Sequence, residues 1–274
     1  MSVPRKTALI TGASSGIGYE LARCFAGKGY NLVLVARRED RLQQAKSEFE
    51  KKYSVRVRVI SGNLSDPQTP RRIFDELTAQ TIEVDVLVNN AGLGAHGFFI
   101  QTPWEKEEEI LAVNVTALTA MTKLFVLGMV QRKSGQIINV ASIAAFLPGP
   151  LMSTYYASKA YVLSFSEALA NELKGSGVSV TALCPGPTQS EFQRVAGVDH
   201  SRLFDESRMA TSKEVAEYGF RAAARCKVVA VHGVINRIFS FAVRFVPRQI
   251  VAAAARKLQE RRIPGQIRGS NIAG

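Results

Sequence analysis

The sequence predicts an α/β protein: a doubly wound parallel sheet of seven strands in a single domain, with a helical C-terminal extension. Three observations carry that prediction. Short apolar runs rich in β-branched residues alternate with longer helical patterns, the rhythm of strand, helix and parallel strand. The runs LVLV, VLVN and IINV are apolar on consecutive residues, which suits strands covered by helices on both faces. No Pro/Gly/Ser-rich linker, low-complexity tract or repeat divides the 274 residues, so one domain is expected over 1–232, with 233–274 packed on it.

Taken in order, strands are expected at 7–11, 31–36, 55–60, 84–89, 136–141, 178–183 and 228–232. The first helical pattern, 17–28, sets Ile17, Leu21, Cys24 and Phe25 on one face and stops at Gly29, which offers a C-cap. Further helices are expected at 41–52, 68–80, 105–131, 154–174 and 213–225. Beyond the last strand, 234–246 is apolar with Arg237 and Arg244 in it, Pro247 interrupts, and a second helical pattern runs over 250–262. In doubly wound sheets ligands bind beyond the carboxyl ends of the strands, so chemistry is expected in the loops opening at Thr11, Asn89, Ala141 and Cys184.

With 46% hydrophobic and 21% charged side chains, the composition is that of a soluble globular protein. Cys24, Cys184 and Cys226 lie far apart and lack metal-ligand spacing, so neither a metal site nor a disulfide framework is expected, and a reducing compartment fits. Residues 1–5 run straight into an apolar stretch and leave no room for a signal peptide. No uninterrupted apolar run reaches the roughly 20 residues needed to span a bilayer. A cytoplasmic protein is expected, peripheral to a membrane at most. The net charge of +12 is local: from Lys227 onward nine Lys/Arg (Lys227, Arg237, Arg244, Arg248, Arg256, Lys257, Arg261, Arg262 and Arg268) stand against the single acid Glu260, a net +8. Three roles stay open for this tail: a lid or dimer contact on a substrate pocket, a pair of interfacial membrane helices, or nucleic-acid attachment. No nucleic-acid motif supports the last, so nucleic acid is not an expected partner.

After the first strand comes Thr11-Gly12-Ala13-Ser14-Ser15-Gly16-Ile17-Gly18, with a helix beginning inside it. Glycine is needed where a backbone turns sharply and approaches a pyrophosphate, and a helix N-terminus offers unpaired N–H groups. Gly12, Ser14, Ser15, Gly16, Ile17 and Gly18 are therefore candidate cofactor contacts. The second strand ends Val35-Ala36-Arg37-Arg38, with no acid at its tip. An acid there binds a ribose 2′-hydroxyl and an arginine accommodates a 2′-phosphate, so Arg37 and Arg38 favour NADP(H). Glu39 and Asp40 follow closely, and ordinary solvated loop charges are the alternative.

Tyr155 and Lys159 are four apart at the start of a predicted helix, so both side chains can converge on one point. A phenol of pKa about 10 is a poor acid/base at neutral pH unless a neighbouring cation stabilises the phenolate. Alone, such a pair is usually incidental. It stands, however, in an ordered set: the glycine loop, Asn89-Asn90-Ala91-Gly92, Asn114 in the long helix, Ser142 after the fifth strand, Tyr155-x-x-x-Lys159, and Pro185-Gly186 followed by Thr188. Over residues 6–232 this set resembles the short-chain dehydrogenase/reductase family, whose fold is the Rossmann type.

The resemblance implies an NADP(H)-dependent oxidoreductase that interconverts a carbonyl and its alcohol. Tyr155 would act as general acid/base and Ser142 would stabilise the substrate oxygen. Lys159 would lower the pKa of Tyr155 and bind the nicotinamide ribose, and Asn114 would hold a water linking Lys159 to solvent. Asn89, Ala91 and Gly92 would lie along the adenosine ribose, with Asn90 beside them as a cofactor contact. Pro185, Gly186 and Thr188 would hold the carboxamide. A homo-oligomer, dimer or tetramer, is also implied. Many relatives carry an aspartate after the third strand; here Asn63 and Leu64 would contact the adenine, through a neutral acceptor.

Substrate selectivity is expected from Gly94 and Ala95, from 144–152 and from 189–211, where Phe146, Leu147, Pro148, Leu151, Phe192 and Phe204 would form apolar walls suited to a lipophilic ketone or aldehyde. The same side chains could instead pack into the core. The alternatives to an enzyme are an NADP-binding sensor and a membrane-surface interaction protein; loss of the tyrosine or lysine would favour the sensor, and both are present.

Overall fold

The structure, a computed structural model, describes residues 5–197 and 209–260. Nine strands occur among them: β1 (Thr7–Thr11), β2 (Asn31–Ala36), β3 (Val57–Ser61), β4 (Val86–Asn89), β5 (Gly135–Val140), β6 (Val178–Cys184), β7 (Thr188–Gln189), β8 (Ala210–Thr211) and β9 (Val229–Val231). Seven form one parallel sheet in the order β3-β2-β1-β4-β5-β6-β9, the doubly wound topology expected. The two-residue strands β7 and β8 pair only with each other.

The helices are α1 (Gly16–Ala26), α2 (Glu39–Tyr53), α3 (Thr69–Ala79), α4 (Trp104–Leu111), α5 (Leu118–Gln131), α6 (Ser153–Glu172), α7 (Phe192–Ala196), α8 (Ser212–Ala224), α9 (Val234–Ala242) and α10 (Arg248–Gln259). Successive strand residues serve opposite layers. Ala8, Ile10, Leu32, Leu34 and Val88 pack with Leu21, Phe25, Phe49 and Val215 on one face. Leu9, Val33, Val35 and Leu87 pack with Ile73, Leu77, Met121 and Phe125 on the other. That division is why the strands read as unbroken apolar runs.

Several boundaries differ from expectation. Helix α1 ends at Ala26 with Gly27 as its cap, and Gly29 takes φ +79° in the turn beyond. The apolar pattern 234–246 splits into α9 and a 3₁₀ turn, Val243–Phe245, before Pro247 opens α10. The long helix is continuous over Trp104–Gln131 but widens to a π-helical turn at Ala112–Ala117, centred on the segment that carries Asn114. By length and composition it is long and apolar enough to cross a bilayer, which the reading of uninterrupted apolar runs missed. Its stripe Val113, Ala117, Met121, Phe125 and Met129 is nevertheless buried in the core beneath the sheet.

A ladder of polar side chains threads this apolar interior. Asn89 Nδ2 donates to Thr122 Oγ and to Asn139 Oδ1, both at 2.9 Å. Asn139 Nδ2 donates to Ser166 Oγ at 2.9 Å, and Ser166 Oγ to the Val162 carbonyl at 2.6 Å. The ladder joins β4, β5, α5 and α6. Helix α8 begins with a reciprocal cap, Thr211 Oγ accepting from the Glu214 amide at 3.2 Å while Glu214 Oε2 accepts from the Thr211 amide at 2.8 Å. Phe204 and the cationic residues Arg261, Arg262 and Arg268 lie outside the described residues.

Candidate active site

One cavity of about 560 Å³ runs across the carboxyl ends of β1, β4, β5 and β6. Gly12, Ser14, Ser15, Gly16, Ile17, Arg37, Arg38, Asn63 and Leu64 line one end; Asn90, Ala91 and Gly92 line the middle; Ser142, Tyr155, Lys159, Pro185, Gly186 and Thr188 line the other. Asn114, although it is 1% exposed and does not line the cavity, holds the loop that does.

The nucleotide end fits a dinucleotide on its own geometry. Gly12 and Gly16 take φ +65° and +59°, a region L side chains rarely adopt. A Cβ on Gly12 would sit 2.7 Å from Asn90 Nδ2 and 2.9 Å from Ala91 Cα. Ser15, the residue before α1, makes no side-chain cap, so the first N–H groups of the helix stay open toward the cavity. Gly18 serves the packing of the loop rather than the cofactor: a Cβ there would collide with Asn90 Nδ2 and the Gly12 carbonyl, and the residue does not reach the cavity wall. Asn90 stitches the two strand ends together, its Nδ2 donating to the Thr11 carbonyl at 2.9 Å and the Gly12 carbonyl at 3.2 Å. Asn89, expected along the ribose, is instead 3% exposed and engaged in the buried ladder. Both arginines are ion-paired, Arg37 with Glu109 at 3.1 Å and Arg38 with Glu191 at 2.6 Å.

At the catalytic end the helical spacing of α6 brings Tyr155 and Lys159 together, with Lys159 Nζ 5.8 Å from the centre of the Tyr155 ring. Lys159 is 5% exposed and donates to the Val140 carbonyl at 2.8 Å. Burial of its ammonium lowers its pKa to about 8. Burial acts on Tyr155 in the opposite sense, pushing the phenol well above its usual value, with the Ser142 hydroxyl the counteracting influence. Desolvation of the phenolate is the largest influence on Tyr155 in this geometry, and Lys159 is held by the Val140 carbonyl beside its ring. At neutral pH the arrangement holds a protonated phenol beside a partly titratable lysine.

Asn114 clamps the loop after β4. Its Nδ2 donates to the Leu93 carbonyl and to Ser158 Oγ, both at 2.9 Å, and its Oδ1 accepts from the Leu93 amide at 2.8 Å. Of the four hydrogen bonds an amide side chain can make, three are taken, which leaves one acceptor lone pair for a water. Gly92 lies directly against this group; a Cβ there would be 3.3 Å from Lys159 Nζ and 3.4 Å from Asn114 Oδ1.

The substrate side departs more from expectation. Ala144, Leu147, Met152 and Phe192 line the cavity, but Phe146 packs into the core beside Val162 and Ala182. Phe192 closes over Gly94, where a Cβ would meet its ring at 2.8 Å, and its ring centre is 5.2 Å from that of Tyr155. Helix α10 roofs the cavity through Ala255, Leu258 and Gln259. Gln259 is 2% exposed, donates to the Tyr156 hydroxyl at 3.0 Å, leaves its Oε1 without a partner, and offers its carbonyl to His96 Nε2 at 3.3 Å. Tyr156, His96 and Gln259 were not among the candidates, and Ser190 and Glu191 fell only within the broad 189–211 segment expected to set selectivity. Gln259 carried a signal, standing four residues beyond Ala255 and eight beyond Val251 on one helical stripe. No spacing links Glu191 to Arg38, 153 residues away. No cluster of His, Cys, Asp or Glu able to hold a metal occurs among the described residues.

A doubly wound sheet with a glycine cradle at one end of its cavity and a tyrosine beside a buried lysine at the other defines a nucleotide-binding class of protein. The family pattern of the short chain dehydrogenases matches residues 6–200, and the chain belongs to that family. It is 37% identical to a short chain dehydrogenase of Pseudocercospora fijiensis over 192 residues, 68% of this chain and 61% of the relative. It is 38% identical to a very-long-chain 3-oxoacyl-CoA reductase of Phaeosphaeria nodorum over 183 residues, 65% of this chain and 53% of the relative. The chain thus spans only 53% to 61% of these curated relatives. A solved short-chain dehydrogenase from Sphingobium yanoikuyae in complex with NADPH is similar at 32% identity and a TM-score of 0.79, over 88% of this chain and 93% of that one.

Proposed function

We propose that this protein is an NADPH-dependent reductase of a lipophilic ketone, with 3-oxoacyl chains the first substrate class to test. The observation that carries the reading is the Tyr155 phenol, desolvated beside Ser142 and Lys159 and held protonated at neutral pH. Such a group is a proton donor, the role that carbonyl reduction requires. Bound NADPH would supply the hydride. Tyr155 then protonates the carbonyl oxygen, Ser142 hydrogen-bonds that oxygen as charge develops, and the Lys159 ammonium keeps the site positive. The phosphate end fits NADPH through Arg38, Ser14 and the glycine cradle. Leu147, Met152, Phe192 and Leu258 supply apolar walls, and the Tyr156 hydroxyl, which accepts from Gln259 Nε2 and keeps its own O–H to donate, supplies a polar point suited to a second substrate oxygen.

The test is loss of NADPH absorbance with aliphatic, aromatic and 3-oxoacyl carbonyl compounds. Turnover that disappears in Tyr155→Phe supports the reading; tight NADPH binding with no turnover on any of them would favour the sensor.

A second reading concerns the extension. Ile235 is 82% and Phe245 74% exposed, Ile238 and Phe241 are exposed beside them, and Arg237, Arg244 and Arg248 flank the patch. No carboxylate occurs from Lys227 to Gln259, so an anionic lipid surface matches both its charge and its apolarity. Sedimentation with anionic vesicles at low salt, reversed by added salt, is the expected result; a stable dimer that buries the patch without binding vesicles would replace this reading.

A further inference from the structure

The donors that fit a cofactor phosphate are already gathered around a carboxylate of the protein itself. Arg38 Nη2 donates to Glu191 Oε2 at 2.6 Å and Ser15 Oγ donates to the same oxygen at 2.9 Å. The same Arg38 nitrogen lies 3.1 Å from both Ser14 Oγ and Ser15 Oγ. Two side chains from two separate loops, Arg38 and Ser15, thus converge on one anionic oxygen brought in from a third, the segment between β7 and α7, and Ser14 accepts from Arg38 beside them. Hydrogen bonding from Arg38, then from Ser15, holds the Glu191 carboxyl down to about 2, so it is an anion at any physiological pH.

We propose that Glu191 is a resident competitor for the 2′-phosphate of NADP(H), occupying the donors of that subsite until the cofactor displaces it. The inference rests on the NADPH reading above. A phosphate monoester brings more charge and more acceptor oxygens than a carboxylate, so it wins Arg38 and the serines, and the two anions cannot share them. A dinucleotide that lacks the 2′-phosphate has nothing to exchange and leaves the Arg38–Glu191 pair intact. Displacement is felt at the chemistry, because the next residue is Phe192, whose ring packs on Tyr155. Glu191 therefore links occupation of the phosphate subsite to the wall of the substrate pocket.

Glu191→Gln separates this from the alternatives by equilibrium titration of four probes: NADP⁺, NAD⁺, 2′,5′-ADP and 5′-ADP. Glu191 and Arg38 are both well solvated, so an effect of about fivefold is the appropriate size. Competition predicts that NADP⁺ and 2′,5′-ADP bind about fivefold tighter to the variant while NAD⁺ and 5′-ADP are unchanged. Equal tightening of all four would mean a diffuse electrostatic effect and overturn the proposal. Weaker binding of all four would mean that Glu191 closes over the bound dinucleotide, and no change would mean an idle surface pair; either overturns it too. Arg38→Ala tests the underlying reading separately: if it weakens 2′,5′-ADP no more than 5′-ADP, the 2′-phosphate does not sit at Arg38, whatever Glu191 does.

Discussion

The two ends of the cavity are built by opposite strategies. At the nucleotide end the site is made by backbone shape and exposed charge: positive-φ glycines, open N–H groups at the start of α1, and arginines on the surface in ion pairs. At the catalytic end it is made by desolvation: Lys159, Asn114 and Ser142 are buried, and burial moves the protons of Tyr155 and Lys159 in opposite directions. Exposed pairs are screened and individually weak, whereas a buried titratable group changes its chemistry outright. Substitutions at the two ends should therefore differ in size and in kind.

The largest effect is expected at the buried end. Tyr155→Phe should lower turnover by about 10²–10⁴-fold while cofactor affinity stays nearly constant, since only the proton donor is lost; an equal loss of cofactor affinity, measured by titration, would blur the distinction between the ends. Next comes pH. With Lys159 at about 8, reduction should fall as pH rises beyond that value, by up to about tenfold per unit. Its folded pKa lies below the ordinary 10.5, so the unfolded chain binds the proton more tightly. The destabilising contribution of Lys159 is then full below pH about 8 and relieved as pH climbs toward 10.5. Lys159→Met should flatten that part of the curve of stability against pH, followed by thermal unfolding.

Smaller effects belong to the nucleotide end. Gly18→Ala forces a methyl against Asn90 and the Gly12 carbonyl, and should cost about 1–3 kcal/mol, read as a melting temperature lower by several degrees. Smallest is Arg37→Ala, which removes an exposed pair with Glu109 and should change stability by less than about 1 kcal/mol. A large loss of stability there would break the comparison.

How much of this could be read in the sequence follows the same division. Residues close along the chain were legible: Tyr155 and Lys159 meet because four residues make about one helical turn, and the glycines announce a loop that only they can form. What joins distant segments was not. Glu191 reaches Arg38 across 153 residues, and Gln259 reaches Tyr156 across 103. Asn89 and Asn90 are chemically identical neighbours, yet alternation along a strand sends one into the core and the other toward the cavity. Phe146 fails for a related reason: an aromatic residue near a site suits a wall and a core equally, and the 3₁₀ turn at Ile143–Phe146 decides. The effect expected of Lys159 on Tyr155 came from their helical spacing, and its ribose contact and the role of Asn114 from family resemblance; burial and hydrogen-bond capacity could be judged only once their neighbours were known.

The polar ladder through Asn89, Thr122, Asn139 and Ser166 has a consequence for assembly. Val, Ile and Leu side chains fit a neighbouring strand almost equally well after a two-residue slip, so an apolar sheet alone distinguishes poorly between alignments. Each amide or hydroxyl stranded by such a slip would cost about 1–3 kcal/mol, because no water replaces the lost partner. The ladder thus works as a keyed joint: it penalises misthreaded intermediates, and Asn139→Leu should yield a protein that stays compact but refolds through a larger misaligned population.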